Sequence, residues 1–116
     1  MKLVKSNLNT TVALRRVYPI ICSYLFRDMR IKSYEIYTLD RTTILKVDTF
    51  DSIVLVIFNK RTKIRPDEID FICRELLPEV PKENLLRIDN VLQKMAEEEL
   101  YFEAKDFVVL QADVDE

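Results

Sequence analysis

Glycine and histidine are both absent from this chain of 116 residues, and each absence excludes a class of site. Without glycine, no turn can use the residue that most easily adopts a positive φ, and glycine-dependent phosphate loops and dinucleotide fingerprints are excluded. Without histidine, the chain lacks the usual general base and the commonest metal ligand, so serine triads, Cys–His dyads and histidine-containing zinc sites are excluded. We therefore predict a protein without catalysis, cofactor or metal.

Cysteine is scarce as well, since Cys22 and Cys73 are too few for a four-thiolate zinc site. The first seven residues lack the apolar core of a signal peptide, and no apolar run approaches the ~20 residues of a membrane span. These absences predict a cytoplasmic protein in a reducing compartment, with both thiols free and no membrane contact.

The most informative stretch that is present is Ser52-Ile53-Val54-Leu55-Val56-Ile57-Phe58-Asn59. Its six central residues are all apolar and mostly β-branched. A strand with one wet face would alternate apolar and polar residues, so this run predicts a strand that is covered on both faces. The rest of the chain must then supply two covering layers.

Upstream of that stretch, apolar residues recur at helical spacing from Leu14 to Leu25, and Pro19 lies inside the pattern. Proline removes one backbone hydrogen bond and disfavours helix at the residue before it. The pattern fits one helix kinked at Pro19 or a shorter helix that begins there, and we favour the kinked helix. Two further segments, 32–39 and 43–50, alternate in part and predict strands of an antiparallel meander.

Downstream, Pro66 suits the first turn of a helix, with Asp67 and Glu68 placed where the helix dipole favours anions. A second helix is predicted to begin at Pro81. Its apolar stripe consists of Leu85, Ile88, Leu92 and Met95. A last apolar strand spans 107–110, and a crossover of two helices would make it parallel to 52–59.

These elements predict one α+β domain over residues 1–116, in the order α-β-β-β-α-α-β. The sheet is expected to be mixed, mostly antiparallel and four-stranded, and the chain ends in an acidic tail of about residues 111–116. Charge is divided along the chain. Residues 1–65 carry 13 Lys and Arg against 5 Asp and Glu, a net charge of +8, whereas residues 66–116 carry 5 against 15, a net charge of −10. Such asymmetry indicates partners rather than a fold.

Our first functional hypothesis is a small intracellular interaction protein, self-associating as a homodimer or serving as an adaptor subunit. If all three helices pack on one face of the sheet, the other face stays open, and an exposed apolar patch usually indicates a partner. The candidate members of that open face are Tyr37, Leu39, Ile44 and Phe50. The acidic contact surface would comprise Glu97, Glu98, Glu99, Asp113, Asp115 and Glu116.

The alternative is a nucleic-acid-binding protein that uses a basic patch from residues 15–65 on phosphates. The residues proposed to bind are Arg27, Arg30, Lys60, Arg61, Lys63 and Arg65. In its α-β-β-β-α order the chain resembles double-stranded-RNA-binding domains and the small Alu-domain proteins of signal recognition particles. That resemblance implies a basic cluster that grips phosphates at the second helix. In this chain the cluster precedes Pro66 and so lies on a loop.

A third hypothesis is a degenerate nuclease-like fold that is retained for binding. The order of one helix, three strands and a helix is similar to that of the PD-(D/E)xK nuclease core. The resemblance implies Asp48 as the first metal-binding acid and Lys60 as the lysine. Phe58 stands where the second acid belongs, so the acid set is incomplete.

Overall fold

The structure is a computed structural model that describes residues 2–5, 14–16, 18–27, 29–88 and 106–113. The strands are β1 (Val4–Lys5), β2 (Ile31–Leu39), β3 (Thr42–Thr49), β4 (Ser52–Asn59), β5 (Leu86–Arg87) and β6 (Asp106–Asp113). The helices are α1 (Pro19–Leu25) and α2 (Pro66–Leu76), with a 3-10 turn over Lys82–Asn84. Neither described helix is both long and apolar enough to cross a membrane.

All six strands belong to one sheet in the order β1-β2-β3-β4-β6-β5, and every neighbouring pair is antiparallel. The single α+β domain and the meander from β2 to β4 are confirmed. The prediction of four strands is wrong, because the short strands β1 and β5 extend the sheet at its two edges. The predicted parallel pairing of β4 with β6 is also wrong. β5 runs in the same direction as β4, and the reversal of the chain between β5 and β6 makes β6 antiparallel to both.

Both faces of β4 are covered, as its unbroken apolar run predicted. Val54, Val56 and Phe58 face the core layer that contains α1, whereas Leu55 and Ile57 face the layer that contains α2. The condition for an open sheet face, with every helix on one side, is therefore not met by the described helices. Two of the proposed members of that face, Leu39 and Ile44, are only 1% and 0% exposed, because the α2 layer covers them.

The first helical region is interrupted before Pro19, so the favoured prediction of a single kinked helix is wrong. Residues 14–16 are helical, but Tyr18 has φ −128° and ψ 62°, outside the helical region, and α1 begins at Pro19. A residue that precedes proline is sterically driven away from helical dihedrals. The Tyr18 amide still donates to the Leu14 carbonyl at 2.9 Å, which ties the two helical pieces together.

The helix predicted at Pro66 is confirmed, with Asp67 and Glu68 in its first turn. The helix predicted to begin at Pro81 is wrong over its described part. Only the short 3-10 turn forms, and the chain then enters β5, after which the Ile88 amide donates to the Val109 carbonyl at 2.8 Å. Leu92 and Met95, the remaining positions of its stripe, lie outside the described residues. Pairing with β6 therefore overrides the helical spacing of Leu85 and Ile88.

Candidate functional site

Strand register brings two loops together at one end of the sheet. Thr42 pairs with Asn59 at the end of the β3–β4 ladder, so the β2–β3 turn lies beside the loop that follows β4. The turn contributes Arg41, and the loop contributes Lys60 and Arg61. These three cations surround a depression of about 440 Å³.

The depression is lined by a hydroxyl and a ring in addition to its cations. Thr43 and Phe58, which are paired across β3 and β4, complete its lining. Phe58 is almost fully buried and makes an edge-on contact with the Tyr18 ring, at 5.9 Å between centroids. This part of the lining is therefore apolar, and the Phe58 ring offers little of its face to a ligand.

Asn59 holds the backbone of the loop in place. Its side-chain oxygen Oδ1 accepts the amide protons of Arg61 and Thr62, at 2.8 and 3.0 Å. Its Nδ2 donates to Thr42 Oγ1 at 3.1 Å, beneath the surface. The far end of the loop is anchored where the Ile64 amide donates to a carboxylate oxygen of Asp106 at 2.9 Å. The loop cations thus project from a backbone that is fixed at both ends.

The turn on the other side of the depression is tight. It consists of Asp40 and Arg41, and Asp40 adopts a positive φ of 54°. In a chain without glycine, aspartate is one of the residues that tolerate this conformation at modest cost. This turn brings Arg41 to the depression that Lys60 also lines.

Four cations at this end form no ion pair within the described residues, and Asp40 in the turn and Asp106 beside the loop are the carboxylates that lie near them. We define the basic end as Arg41, Lys60, Arg61 and Lys63. None of these four has a carboxylate within 4 Å in the described part of the chain. Arg65 differs, because its Nε lies 3.3 Å from Glu68 and 3.7 Å from Asp67.

The structure divides the basic set that the sequence predicted. Arg30 immediately precedes β2, whose first residue pairs with the last residue of β3, so it lies at the end of the sheet opposite Lys60; Arg27 is three residues away from Arg30 and hence within about 11 Å of it. An eight-residue strand spans about 26 Å at 3.3 Å per residue, which is too far for these groups to act on one ligand group. The guanidinium carbon Cζ of Arg30 instead lies over the Phe50 ring, 5.7 Å from its centroid.

The nuclease-like pair is likewise not brought together. Asp48 pairs with Ile53 at one end of β4, whereas Lys60 follows the other end. Seven strand positions correspond to about 23 Å, well beyond the reach of one metal ion. The described residues also contain no group of three or more His, Cys, Asp or Glu side chains placed to hold a metal.

A second recess lies on the α2 side of the sheet. It is a cleft of about 820 Å³ between α2, the 3-10 turn and β6. Its apolar lining consists of Ile69, Cys73, Leu77, Pro78, Val80, Leu85 and Leu110. Asp67, Asp70, Arg74 and Lys82 form its charged rim, and Lys82 Nζ bonds Asp70 Oδ1 across it at 2.9 Å.

Both thiols are free, and they lie in the two different core layers. Burial raises the pKa of Cys22, against a smaller opposing influence of Arg15. Burial, together with the nearby Asp70 carboxylate, raises the pKa of Cys73. Each thiol is therefore protonated at neutral pH and poorly suited to act as a nucleophile.

The remaining predicted contact residues are scattered or lie outside the described residues. Phe50 is 58% exposed at the turn between β3 and β4. Tyr37 is half-buried and donates its hydroxyl proton to Glu35, which also pairs with Lys5 Nζ at 3.0 Å. Asp113 is exposed at the end of β6. The other acidic candidates, Glu97, Glu98, Glu99, Asp115 and Glu116, lie outside the described residues.

Sequence reasoning missed Arg41 and Thr43 at the basic end, and Arg74 at the cleft. For the first two a signal was present. Once segments 43–50 and 52–59 are paired as a hairpin, the residues that begin the first must lie beside those that follow the second. Arg74 lies on α2 between the buried residues Ile72 and Leu76 and carries no comparable signal.

Comparison with known proteins identifies a family and a fold. Residues 26–101 match one family model, whose description is a domain of unknown function, DUF1827. No curated protein matches the chain. The crystal structure of a conserved protein of unknown function from Streptococcus thermophilus is similar over 100% of this chain and 99% of its own, with a TM-score of 0.62 and 15% sequence identity. That likeness shows the fold.

Proposed function

This chain belongs to the DUF1827 family, and we propose that it is a non-catalytic interaction protein that forms a homodimer through its α2 face. The observation that carries the proposal is the order of charges along α2. Asp67, Asp70 and Arg74 are spaced as i, i+3 and i+7, so they share one side of the helix, and the sign changes from negative to positive along it. All three also belong to the rim of the cleft.

A two-fold axis makes such a pattern complementary to itself. In an isologous dimer, residue i of one copy contacts residue j of the other, and the reverse contact occurs as well. If two α2 helices lie antiparallel, Asp67 of each copy faces Arg74 of the other. Within one copy, Asp67 and Arg74 are about 10 Å apart along the helix, at 1.5 Å per residue. Arg74 is available for such a contact, since no carboxylate lies within 4 Å of it among the described residues.

The cleft supplies an apolar centre between the two charged contacts. Ile69, Cys73 and Leu85 are only partly buried, and they line a recess that a second copy would cover. An apolar centre inside a charged rim is the usual arrangement of a stable protein–protein interface. The proposed dimer therefore draws its affinity from the cleft and its orientation from Asp67 and Arg74.

A role without catalysis agrees with the chemistry of the available side chains. The chain has no histidine, and the pKa values of both thiols are raised, largely by burial. The cleft offers acids, an arginine and a lysine on its rim, and its interior is apolar. These groups support binding through shape and charge.

Charge exchange tests the proposed dimer. We expect sedimentation equilibrium at protein concentrations of about 10–100 µM to show a dimer for the natural chain. This range populates a dimer whose dissociation constant is micromolar or lower. Asp67→Arg or Arg74→Asp alone places like charges opposite one another at two symmetric contacts. With about 1 kcal/mol at each contact, either change is expected to weaken the dimer at least tenfold. The double variant Asp67→Arg/Arg74→Asp restores opposite charges and is expected to recover dimerisation.

The matched control is Glu75→Arg, which reverses a charge on α2 outside the cleft lining. It is expected to leave the association constant within about threefold of the natural value. A natural chain that is monomeric at 100 µM would contradict the proposal. A double variant that remains as weak as the single variants would contradict the antiparallel arrangement.

A further inference from the structure

We propose that the depression at the basic end is a binding site for the phosphate groups of a nucleic acid strand. This inference goes beyond the homodimer and does not depend on it, because its residues lie at one end of the sheet and not in the cleft. Arg41 from the turn and Lys60 and Arg61 from the loop line the depression, and Thr43 belongs to the same lining.

The chemistry of these groups matches a phosphate. A guanidinium donates two parallel hydrogen bonds to a phosphate or a carboxylate, an ammonium group acts as a point charge, and a threonine hydroxyl donates one further bond. The residues that line this depression of about 440 Å³ include two arginines, one lysine and one threonine. This volume lies within the range of small-ligand sites and accommodates a phosphate together with part of its sugar.

The site is organised before any ligand arrives. Asn59 fixes the backbone at Arg61 and Thr62, Asp106 fixes it at Ile64, and the tight turn at Asp40 positions Arg41. A solvated loop whose only role is solubility has no need of a buried asparagine that holds two of its amides. Because little ordering entropy remains to be lost on binding, a fixed loop binds an anion more tightly than a mobile loop with the same charges.

The number of cations favours a polymer over a free phosphate. The basic end carries four positive charges, since Lys63 extends it along the loop, and none has a carboxylate within 4 Å among the described residues. One phosphate monoester carries at most two negative charges, whereas a nucleic acid strand presents a phosphate at every nucleotide. Consecutive phosphates would use the depression and Lys63 together.

Recognition at this site is expected to be independent of base sequence. The Phe58 ring is 5% exposed and packs edge-on against Tyr18, so it does not present a free face on which a base can stack. Arginine, lysine and threonine contacts to phosphates position a strand and carry no sequence information. We therefore expect similar affinities for strands of the same length and different sequence.

The experiment is fluorescence anisotropy with a labelled single-stranded DNA of about 20 nucleotides, titrated with the full chain at several salt concentrations. Three to four phosphate contacts predict that log K falls with log salt concentration with a slope of about −2 to −3 for a single strand. Arg41→Glu/Lys60→Glu is expected to lower affinity at least tenfold in 50 mM salt and to make the slope shallower by about one to two. Thr43→Val tests the hydroxyl without a change in charge and is expected to lower affinity about threefold.

The matched control is Arg27→Glu/Arg30→Glu, which makes the same change in net charge at the opposite end of the sheet. It is expected to retain affinity within about threefold, since long-range charge effects are screened at this distance. The proposal is overturned if the control loses as much affinity as the site variant, or if the natural chain does not bind. Polyglutamate of equal charge is the competitor. Equal competition by it would show that the site recognises any polyanion, and would overturn the assignment to phosphate.

Discussion

Asn59→Ala is the substitution that most directly links the core to the basic end. Asn59 accepts two loop amides and donates to Thr42 Oγ1, and its side chain is 5% exposed. Arg61 and Thr62 are exposed, so water replaces the lost acceptor there at a cost of about 1 kcal/mol for each bond or less. The buried bond to Thr42 adds about 1 kcal/mol. We therefore expect a loss of about 2–3 kcal/mol in the free energy of unfolding.

The assay is urea denaturation, followed by DNA binding at a temperature where the variant is fully folded. With an m value of about 1.5 kcal/mol per molar, the midpoint is expected to fall by about 1.5 M. Affinity for the labelled strand is expected to fall about tenfold, because Lys60 and Arg61 then project from a loop that must be ordered on binding. Thr42→Val is the control. It breaks the buried bond to Asn59 and the 3.3 Å bond that Thr42 Oγ1 donates to Glu68, and it leaves both loop amides held, so it should lower stability by about 1–2 kcal/mol and leave affinity within about twofold.

Two outcomes would refute this reasoning. A midpoint for Asn59→Ala that lies close to the natural value would mean that the three bonds contribute nothing net. Equal losses of affinity in Asn59→Ala and Thr42→Val would mean that general stability, and not the fixed loop, supports the site.

Two further substitutions test the core and the β1–β2 edge. Ile57→Ala, at a site that is 0% exposed, is expected to lower the free energy of unfolding by about 3–4 kcal/mol, measured by urea denaturation. Ile53→Ala, at a half-buried site on the same strand face, should lower it by about 1 kcal/mol. Equal losses would contradict the assigned layers. Tyr37→Phe removes the hydrogen bond that chiefly lowers the pKa of Glu35 below its usual value of 4.5. It should therefore lower the free energy of unfolding by about 1 kcal/mol at pH 7. The difference from the natural chain should shrink as the pH falls below 4.5 and Glu35 becomes protonated. Burial and the bond to Glu35 also raise the pKa of Tyr37 to about 12. The resulting stabilisation is complete below pH 10 and is lost as the pH rises towards 12. The stabilities of the natural chain and of Tyr37→Phe should therefore converge at high pH as well.

The sequence predicted the elements whose signals are local. The unbroken apolar run of β4 identified a strand with two covered faces, and Pro66 followed by two acids identified the start of α2. In both cases composition alone constrains the structure, because an apolar residue must be covered and because proline and acids suit the first turn of a helix.

The sequence did not predict features that depend on distant partners. Leu85 and Ile88 have helical spacing, yet this part of the chain extends because the edge of β6 offers backbone hydrogen bonds. A few residues with an apolar period fit a helix or a strand almost equally well, so the available partner decides. The direction of β6 was wrong for the same reason, since it depends on whether β5 is counted as a strand.

The basic end was predicted only in part. Lys60, Arg61 and Lys63 are adjacent in sequence, and a run of cations is easily seen. Arg41 joins them through strand register, which a linear pattern does not show. Arg27 and Arg30 appeared equivalent to the others by charge, and the same register places them about 26 Å away.

The covering of β4 determines where partners can reach this molecule. Because α1 and α2 close the two faces of the sheet, the accessible surfaces in the described part are the outer sides of the helices, the sheet edges and the strand ends. Of these, α2 carries charges of both signs and complements itself, whereas the four cations of the basic end repel those of a second copy. The two surfaces therefore suit different partners. A dimer formed through α2 leaves two basic ends free, and two linked sites bind one nucleic acid strand more tightly than either site alone. Breaking the dimer with Arg74→Asp should then weaken binding to a long strand and leave binding to a strand that spans a single site unchanged.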